Sequence, residues 1–559
     1  MEKIILLVPL VPLLSALLIQ LLSAAMGRRI ARISVTATLL TFVLAVATLW
    51  HALSAGGSHQ VTLYDAPAFL LLDPLSTLMA TVIAGISLIV HVYSLRYMAE
   101  EAGYARFFVL LDLMTAALLA MVAAGDLLTL LIAWHLVGVL LYFLLGHNTR
   151  DTSAWRYAFW TKITYRIGDL PLVIAAVLLY QAYGTWSLPD IFEQISAQPD
   201  AHQVLGLRLP DLVAALIAFS AYARSAQFLV HTWLPYTMSG PTPVSALMHA
   251  GIVNAGGFLI NRFAAVFVQS SDVLHWVFIV GLFTAVIGSV LMLTQNDIKK
   301  SLGYSTMGQM GFMIMECGIG AFSLAIYHLI AHGLFKGTMF LGSGGVINGA
   351  RKNDGVPKED LYTFVVERRP ARQRLPWLTM AAVTLAVPVI ILVSAHWLIS
   401  QDYFQKQSAV VLLFFGWITG AQLLFSTYQI GTTNLRRIVI LSIVSFAVVV
   451  LGYTLISHAF DLFLYPDPVF REQLYAAADI DIIWFDALIV LITLVIIFGW
   501  FITFLADRNG DRKSRYAQRL WLMFYALTSR EFFLPHLYTL MSRRLLGMAQ
   551  RLNVWLRWI

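Results

Sequence analysis

Apolar runs of about twenty residues recur from one end of this chain to the other, the length a helix needs to cross a hydrocarbon core about 30 Å thick. A backbone in lipid must satisfy its own amides and carbonyls, which leaves helices and closed barrels as the spanning structures. Barrel strands of about ten residues alternate in polarity, and no such alternation runs through this sequence. The chain therefore reads as all-α, a polytopic membrane bundle of about fifteen transmembrane helices, centred near residues 15, 43, 82, 115, 136, 170, 222, 255, 283, 307, 335, 388, 418, 446 and 494. Only 12% of the 559 residues are charged, against roughly 25% in soluble domains, too few to cover a water-facing surface. Met1-Glu2-Lys3 and the apolar stretch to Ala25 read as the first span, because the n-region is weak and the core too long for a signal peptide. The single cysteine, Cys317, excludes disulfides and cysteine-based metal or cluster sites.

Basic residues set the orientation. Loops after odd-numbered spans hold Arg28, Arg29 and Arg32, then Arg96 and Arg106, Lys299 and Lys300, the group from Arg351 to Arg374, and Arg436 with Arg437. The N-terminus and the loops after even spans hold only Lys3, Arg208, Arg262, Lys406 and Arg471. The positive-inside rule then puts the N-terminus outside and the 351–375 loop in the cytoplasm. The segments are 1–106, N-terminal helices; 107–350, the channel core; 351–505, C-terminal helices; and 506–559, a tail. That tail mixes Arg508, Arg512, Lys513, Arg519, Arg543 and Arg551 with aromatic and aliphatic residues, as amphipathic helices at a cytoplasmic interface do. The net charge of +7 sits in loops and tail and does not point to nucleic acid; the surroundings are membrane lipid.

Ionisable residues at mid-membrane are costly and usually functional. The sixth span carries Arg166 and Asp169, the seventh Arg224 and the eighth His249. In the eleventh, His328, His332 and Lys336 are spaced by four residues, which puts them on one helix face over about 12 Å of axis. Histidine both gives and takes protons near neutral pH, so the row reads as a relay, joined by Lys336 and Lys299. Interrupted helices are also expected. Gly240-Pro241-Thr242-Pro243 separates the seventh and eighth spans, Pro388 interrupts the twelfth, and Gly333 and Gly337 flank Lys336.

The stretches Arg224-Ser-Ala-Gln-Phe-Leu-Val-His-Thr-Trp-Leu-Pro235, Gly240 to His249, Asp297-Ile-Lys-Lys-Ser-Leu-Gly-Tyr-Ser-Thr-Met307 and Ile326 to Lys336 resemble the antiporter-like subunits of respiratory complex I and of Mrp cation/proton antiporters. His91-Val-Tyr-Ser and Arg166-Ile-Gly-Asp169 match as well. The resemblance covers roughly 65–450 and implies two inverted five-helix repeats, each with a broken helix, around a hydrated polar axis that carries protons.

Departures from that pattern narrow the reading. The family's glutamate in the fifth span and lysine in the seventh are here His135, in Trp134-His135-Leu136, and Arg224. Arginine keeps its proton, so Arg224 is expected to bias a switchable His135, with Asp169 as candidate counter-ion. In the twelfth span Ile399 stands at the usual lysine position, and His396 is the titratable residue one turn earlier. The chain more closely resembles the membrane subunits of inorganic-carbon accumulation (DAB) systems. That implies a chain with no cofactor and no catalysis of its own, which uses a cation gradient (protons or Na⁺). The gradient would drive CO₂ hydration by a DabA-like, zinc-containing, carbonic-anhydrase-like partner docked on 351–375 and 506–559. The alternatives are a pumping subunit of an NADH–quinone oxidoreductase or membrane hydrogenase, and an Mrp-type antiporter. The expected location is a bacterial inner membrane. Gly342-Ser-Gly-Gly345 lies in a transmembrane run with no preceding strand and is no nucleotide loop.

Overall fold

The computed structural model describes residues 4–55, 59–62, 69–237, 240–295, 297–352, 455–456, 458–479 and 515–556. Helices α1 (Ile4–Met26) and α2 (Ala31–Ala55) lead into a small hairpin of β1 (His59–Thr62) and β2 (Phe69–Leu72), paired antiparallel with Val61 opposite Leu70. Four long helices follow: α3 (Pro74–Tyr97), α4 (Tyr104–Val122), α5 (Leu127–Leu145) and α6 (Thr152–Tyr183). A short excursion of α7 (Leu188–Ala197), β3 (Gln203–Val204) and β4 (Leu207–Arg208) returns the chain to α8 (Leu209–Arg224) and α9 (Trp233–Tyr236). Next come α10 (Thr242–Leu247), a π-helical turn at Met248–Ile252, α11 (Ala255–Arg262) and α12 (Ala264–Phe267). The antiparallel α13 (Ser271–Leu293), α14 (Ile298–Gly318) and α15 (Phe322–Lys352) complete this stretch.

Among the described residues, eight stretches are long and apolar enough to cross a membrane, the longest being Ile4–Ser54, which joins α1 and α2. The expected spans centred from 15 to 335 all fall on helical segments, the seventh near the end of the 16-residue α8 and the eighth at the start of the eight-residue α11. Those centred at 388, 418, 446 and 494, with Pro388, His396 and nearly all of the 351–375 loop, lie outside the described residues.

Local chemistry fixes where the helices start. Asp73 caps α3 in a capping box with Ser76, and Pro74 supplies a first helical residue that needs no amide partner. Asp126 accepts from the Thr129 amide at 2.8 Å to open α5, and Asp151 accepts from the amides of Ser153 and Ala154 to open α6. The ends are then tied together. Arg262, on the last turn of α11, pairs with Asp73 at 2.5 Å and donates to the Val122 carbonyl at 2.9 Å. Between α1, α2, α3 and α4 lies a buried polar knot. Asp112 accepts from Ser15 at 2.7 Å and Ser34 at 2.7 Å and meets His91 Nε2 at 2.9 Å, while His91 Nδ1 lies 2.7 Å from the Ser87 carbonyl. Every member is partnered, so the knot holds four helices in register.

The chain separates into two compact units, one of Met1–Gly318, His328–Leu341 and Arg515–Ile559, the other of Ile319–Tyr327 and Gly342–Ser514. The described part of the second unit includes α16 (Pro468–Ala477) and an Asp461 that accepts from Ser323 and, at 3.4 Å, from Tyr475. The tail from Arg515 onward belongs to the first unit, as α17 (Arg515–Ser529) and α18 (Leu534–Leu556).

Candidate ion path

The first charged cluster sits where α5, α6 and α8 meet. Asp169 Oδ1 lies 3.2 Å from Arg224 Nη2, and Asp169 Oδ2 lies 3.1 Å from Arg166 Nη1 and 3.2 Å from His135 Nδ1. Arg224 is 2% exposed and donates to the Trp134 carbonyl at 2.7 Å. Its guanidinium stacks over the rings of Trp134 and Tyr165, 4.4 and 4.1 Å from their centroids, an arrangement suited to a planar cation out of water. Arg166 contacts the His135 ring and reaches it across Gly138, where an added Cβ would fall 2.7 Å from Arg166 Nη2. The four residues named from the sequence are therefore brought together, with Asp169 at their centre.

His135 is not enclosed by the bundle: 56% of its side chain is exposed. Successive helical residues point about 100° apart. Trp134, Val137 and Gly138 take the inner face of α5, which turns His135 and Leu136 outward. His135 is thus a rim residue whose inner neighbours are the pair Asp169–Arg166.

The Gly240-Pro241-Thr242-Pro243 run lies after α9 and leads into the start of α10, and a second break precedes it. Helix α8 stops at Arg224 and α9 begins only at Trp233. Ala226 and Leu229 between them have φ of 50° and 75°, conformations that store roughly 1–3 kcal/mol each in non-glycine residues. The freed backbone groups find partners in side chains. Trp233 Nε1 donates to the Ala223 carbonyl at 3.1 Å, and the Phe228 amide donates to Thr284 Oγ1 at 3.0 Å. Arg224 occupies the last turn of α8, where the helix dipole favours a cation.

The second group runs along α15. His328 Nδ1 lies 3.0 Å from both oxygens of Glu316, and its Nε2 lies 2.8 Å from Gln309 Oε1, both on α14. One turn further, the ring of His332 is 6.5 Å from that of His328. Lys336 Nζ then donates to Ser305 Oγ at 2.8 Å. Across from this row, fully buried His249 sits on the π-turn with its ring stacked on Phe340, 4.2 Å between centroids. Neither ring nitrogen of His332 or of His249 has a hydrogen-bond partner among the described residues. Gly333 lets α15 close on the π-turn, since a Cβ there would come 2.7 Å from the Ala250 carbonyl. Asn254 steadies the same junction by donating to Ala250 at 2.8 Å and to Leu329 at 3.3 Å.

Lys299 stands apart from this row. It is half-buried in the first turn of α14, six residues before Ser305 and so about 9 Å along the axis. Glu316 was missed by sequence reasoning. The signal that could have found it is a lone carboxylate in the otherwise apolar run from Met310 to Gly318.

The tail reaches the broken helix. Between α17 and α18, Glu531, Phe532 and Phe533 turn the chain with φ of 57°, 54° and 58°. Glu531 is buried, accepting from Tyr236 at 2.9 Å with Lys300 3.7 Å away. Tyr538 donates to the Leu229 carbonyl inside the break. Arg519, Arg543, Arg544 and Arg551 stay exposed.

Comparison with known proteins agrees with this architecture. Residues 124–417 match the family described as NADH:quinone oxidoreductase/Mrp antiporter, TM, and residues 60–108 match the NADH-ubiquinone oxidoreductase (complex I), chain 5 N-terminus. The chain is 59% identical to the probable inorganic carbon transporter subunit DabB1 of Halothiobacillus neapolitanus, over 99% of both chains. It is 39% identical to NAD(P)H-quinone oxidoreductase chain 5 of Synechocystis over 53% of its own length, spanning 43% of that relative. In fold it is similar to a chain of the archaeal membrane-bound sulfane sulfur reductase (TM-score 0.60, 18% identity, 85% of this chain and 100% of that one). It also resembles a chain of the Mrp complex of Dietzia (TM-score 0.55, 22% identity, 99% and 63%). The chain belongs to the antiporter-like membrane-subunit family of NADH:quinone oxidoreductases and Mrp antiporters, on the branch that includes the DabB inorganic carbon transporter subunits.

Proposed function

We propose that this chain is the cation-translocating membrane subunit of an energy-coupled inorganic-carbon uptake complex, with the proton as its ion. The observation that carries the reading is the α15 row. His328, His332 and Lys336 lie on one buried face with His249 opposite, and two of the imidazoles have no hydrogen-bond partner among the described residues. Buried polar atoms without partners demand an explanation, and groups that pass protons need the freedom to change partners. The Asp169–Arg224–Arg166 cluster elsewhere in the same bundle supplies fixed charge. In this reading the chain carries out no catalysis. A zinc-containing, carbonic-anhydrase-like subunit of the DabA kind hydrates CO₂, driven one way by protons moving down their gradient. The protein sits in a bacterial inner membrane with its N-terminus outside. The tail and the 351–375 loop face the cytoplasm, where the exposed arginines of α17 and α18 favour a docking surface.

Purification of the chain with its native partners, followed by metal analysis, tests the proposal. A stoichiometric zinc protein is the expected result, whereas iron–sulfur subunits or a set of small antiporter subunits would overturn it. Truncation after about residue 510 is expected to detach the partner. Retention of the full complex would remove the tail as docking surface.

A further inference from the structure

Glu316 lies two residues before the end of α14 at Gly318, about 3 Å along the helix axis. It is therefore the member of the α14–α15 polar row nearest that end of the bundle. The other members follow inward along α15, with His328 six residues from its start at Phe322 and Lys336 fourteen. The carboxylate is buried and both of its oxygens meet one imidazole nitrogen. The second nitrogen of that ring faces the amide oxygen of Gln309 at 2.8 Å. Both partners are oxygens, so the ring can donate to Gln309 from Nε2 whether or not Nδ1 carries a proton. When Nε2 alone is protonated, the lone pair of Nδ1 points at Glu316.

We propose that Glu316 is a proton-carrying residue, the outermost carrier of the path, and that Gln309 is the positioning residue that keeps His328 ready to accept from it. The inference rests on the proton-path reading above and extends it by a carboxylate and by a direction. A protonated Glu316 gives up its O–H proton to Nδ1 of His328, leaving a carboxylate beside an imidazolium. The imidazolium then releases one proton toward His332, 6.5 Å away between ring centres, through a ring rotation or an intervening water. Glu316 takes its next proton from the outer side of the membrane, past a turn that is itself buried at Ile319, Ala321 and Phe322. With the N-terminus outside, the Gly318 end of α14 is the outer one, so the row runs inward from Glu316 to Lys336. The donor set also suits protons better than sodium, which takes several oxygen ligands; beyond Glu316 and Gln309 the row offers imidazoles and an ammonium.

The test is dye-detected proton flux into proteoliposomes holding the purified native complex, a readout independent of carbon chemistry. Glu316→Gln keeps the shape and loses the proton, whereas Glu316→Asp keeps the proton and shortens the reach. The expected order is wild type, then Asp, then Gln, with Gln down about a hundredfold. Flux through Glu316→Gln equal to or above that of Glu316→Asp overturns the proposal. His332→Ala separates the two levels of inference. If it abolishes flux while Glu316→Gln is unaffected, the path stands and Glu316 is not on it. If neither variant loses flux, the proton-path reading itself fails. Should Glu316→Gln not assemble, the Glu316→Gln/His328→Gln pair removes both charges together. An active complex then overturns the assignment, and Glu316→Asp read alone supports it only if its flux falls below that of the wild type.

Discussion

Asp169 has Arg166 at 3.1 Å and Arg224 at 3.2 Å, whereas in the same bundle His332 and His249 have no partner for any ring nitrogen among the described residues. The two regions are built from similar ingredients and treat charge in opposite ways. At the α5–α6–α8 junction each charge is held by opposite charge, carbonyl dipole or aromatic face, and two of the groups are arginines that keep their protons. Along α15 the groups are titratable, and His332, like His249 across from it, leaves both ring nitrogens without a hydrogen-bond partner among the described residues. Fixed ion pairing suits a standing field, and histidines without partners suit the route proposed above. A bundle that moves protons needs both, since a field without carriers transports nothing and carriers without a field have no bias.

The largest expected effect comes from breaking the saturated side. Asp169→Asn leaves two guanidiniums facing each other with no counter-charge, and truncating one partner of a buried ion pair costs about 3–5 kcal/mol. The thermal unfolding midpoint of the purified complex should drop by several degrees; an unchanged midpoint would mean the cluster is no structural field. Breaking the other side should spare stability and remove flux. His332→Ala is expected to cut proton flux about a hundredfold at an unaltered midpoint, the reverse of the Asp169 signature. Gly333→Ala forces α15 off the Ala250 carbonyl. Overpacking of this kind costs about 1–3 kcal/mol, and a loss of flux larger than the loss of stability would show that the α15 row depends on that contact. The smallest effect concerns the tail. Tyr236→Phe removes the hydrogen bond to Glu531, worth about 1.5–3 kcal/mol at most for a charged partner. Increased proteolysis near residue 530, without loss of the bundle, is the expected readout.

The α15 row was legible because helical periodicity is a local property, and residues four apart share a face in any helix. Asp169 could be named as a counter-ion from its place in the motif, yet its equal hold on two arginines depends on how α6 packs on α8. Glu316 and His328 stand twelve residues apart on facing helices, and Asp112 and His91 twenty-one apart. No spacing rule links such pairs; only the packed hairpin does. The exposure of His135 turns on the rotational phase of α5, which the apolar stretch around it leaves open. The break after Arg224 is silent in the sequence because Ser225 to Thr232 contains neither glycine nor proline, the residues that normally announce one. Nor could composition show that a basic tail inserts a buried acid, Glu531, beside Tyr236 and Lys300.

The π-turn at Met248–Ile252 has a consequence for how the two halves of that helix are timed against each other. Its backbone bond from the Val253 amide to the Met248 carbonyl, 3.0 Å long, closes a loop one residue wider than an α-turn. That surplus residue rotates everything after it by about 100°. Upstream, His249 lies against Phe340; downstream, Asn254 meets Leu329 and Arg262 meets Asp73. Deleting one residue would let a plain α-helix form, but then only one of those sets could be satisfied at a time. The inserted residue acts as a phase shifter, through which one helix keeps an imidazole turned to the interior while its far end stays locked to the start of α3.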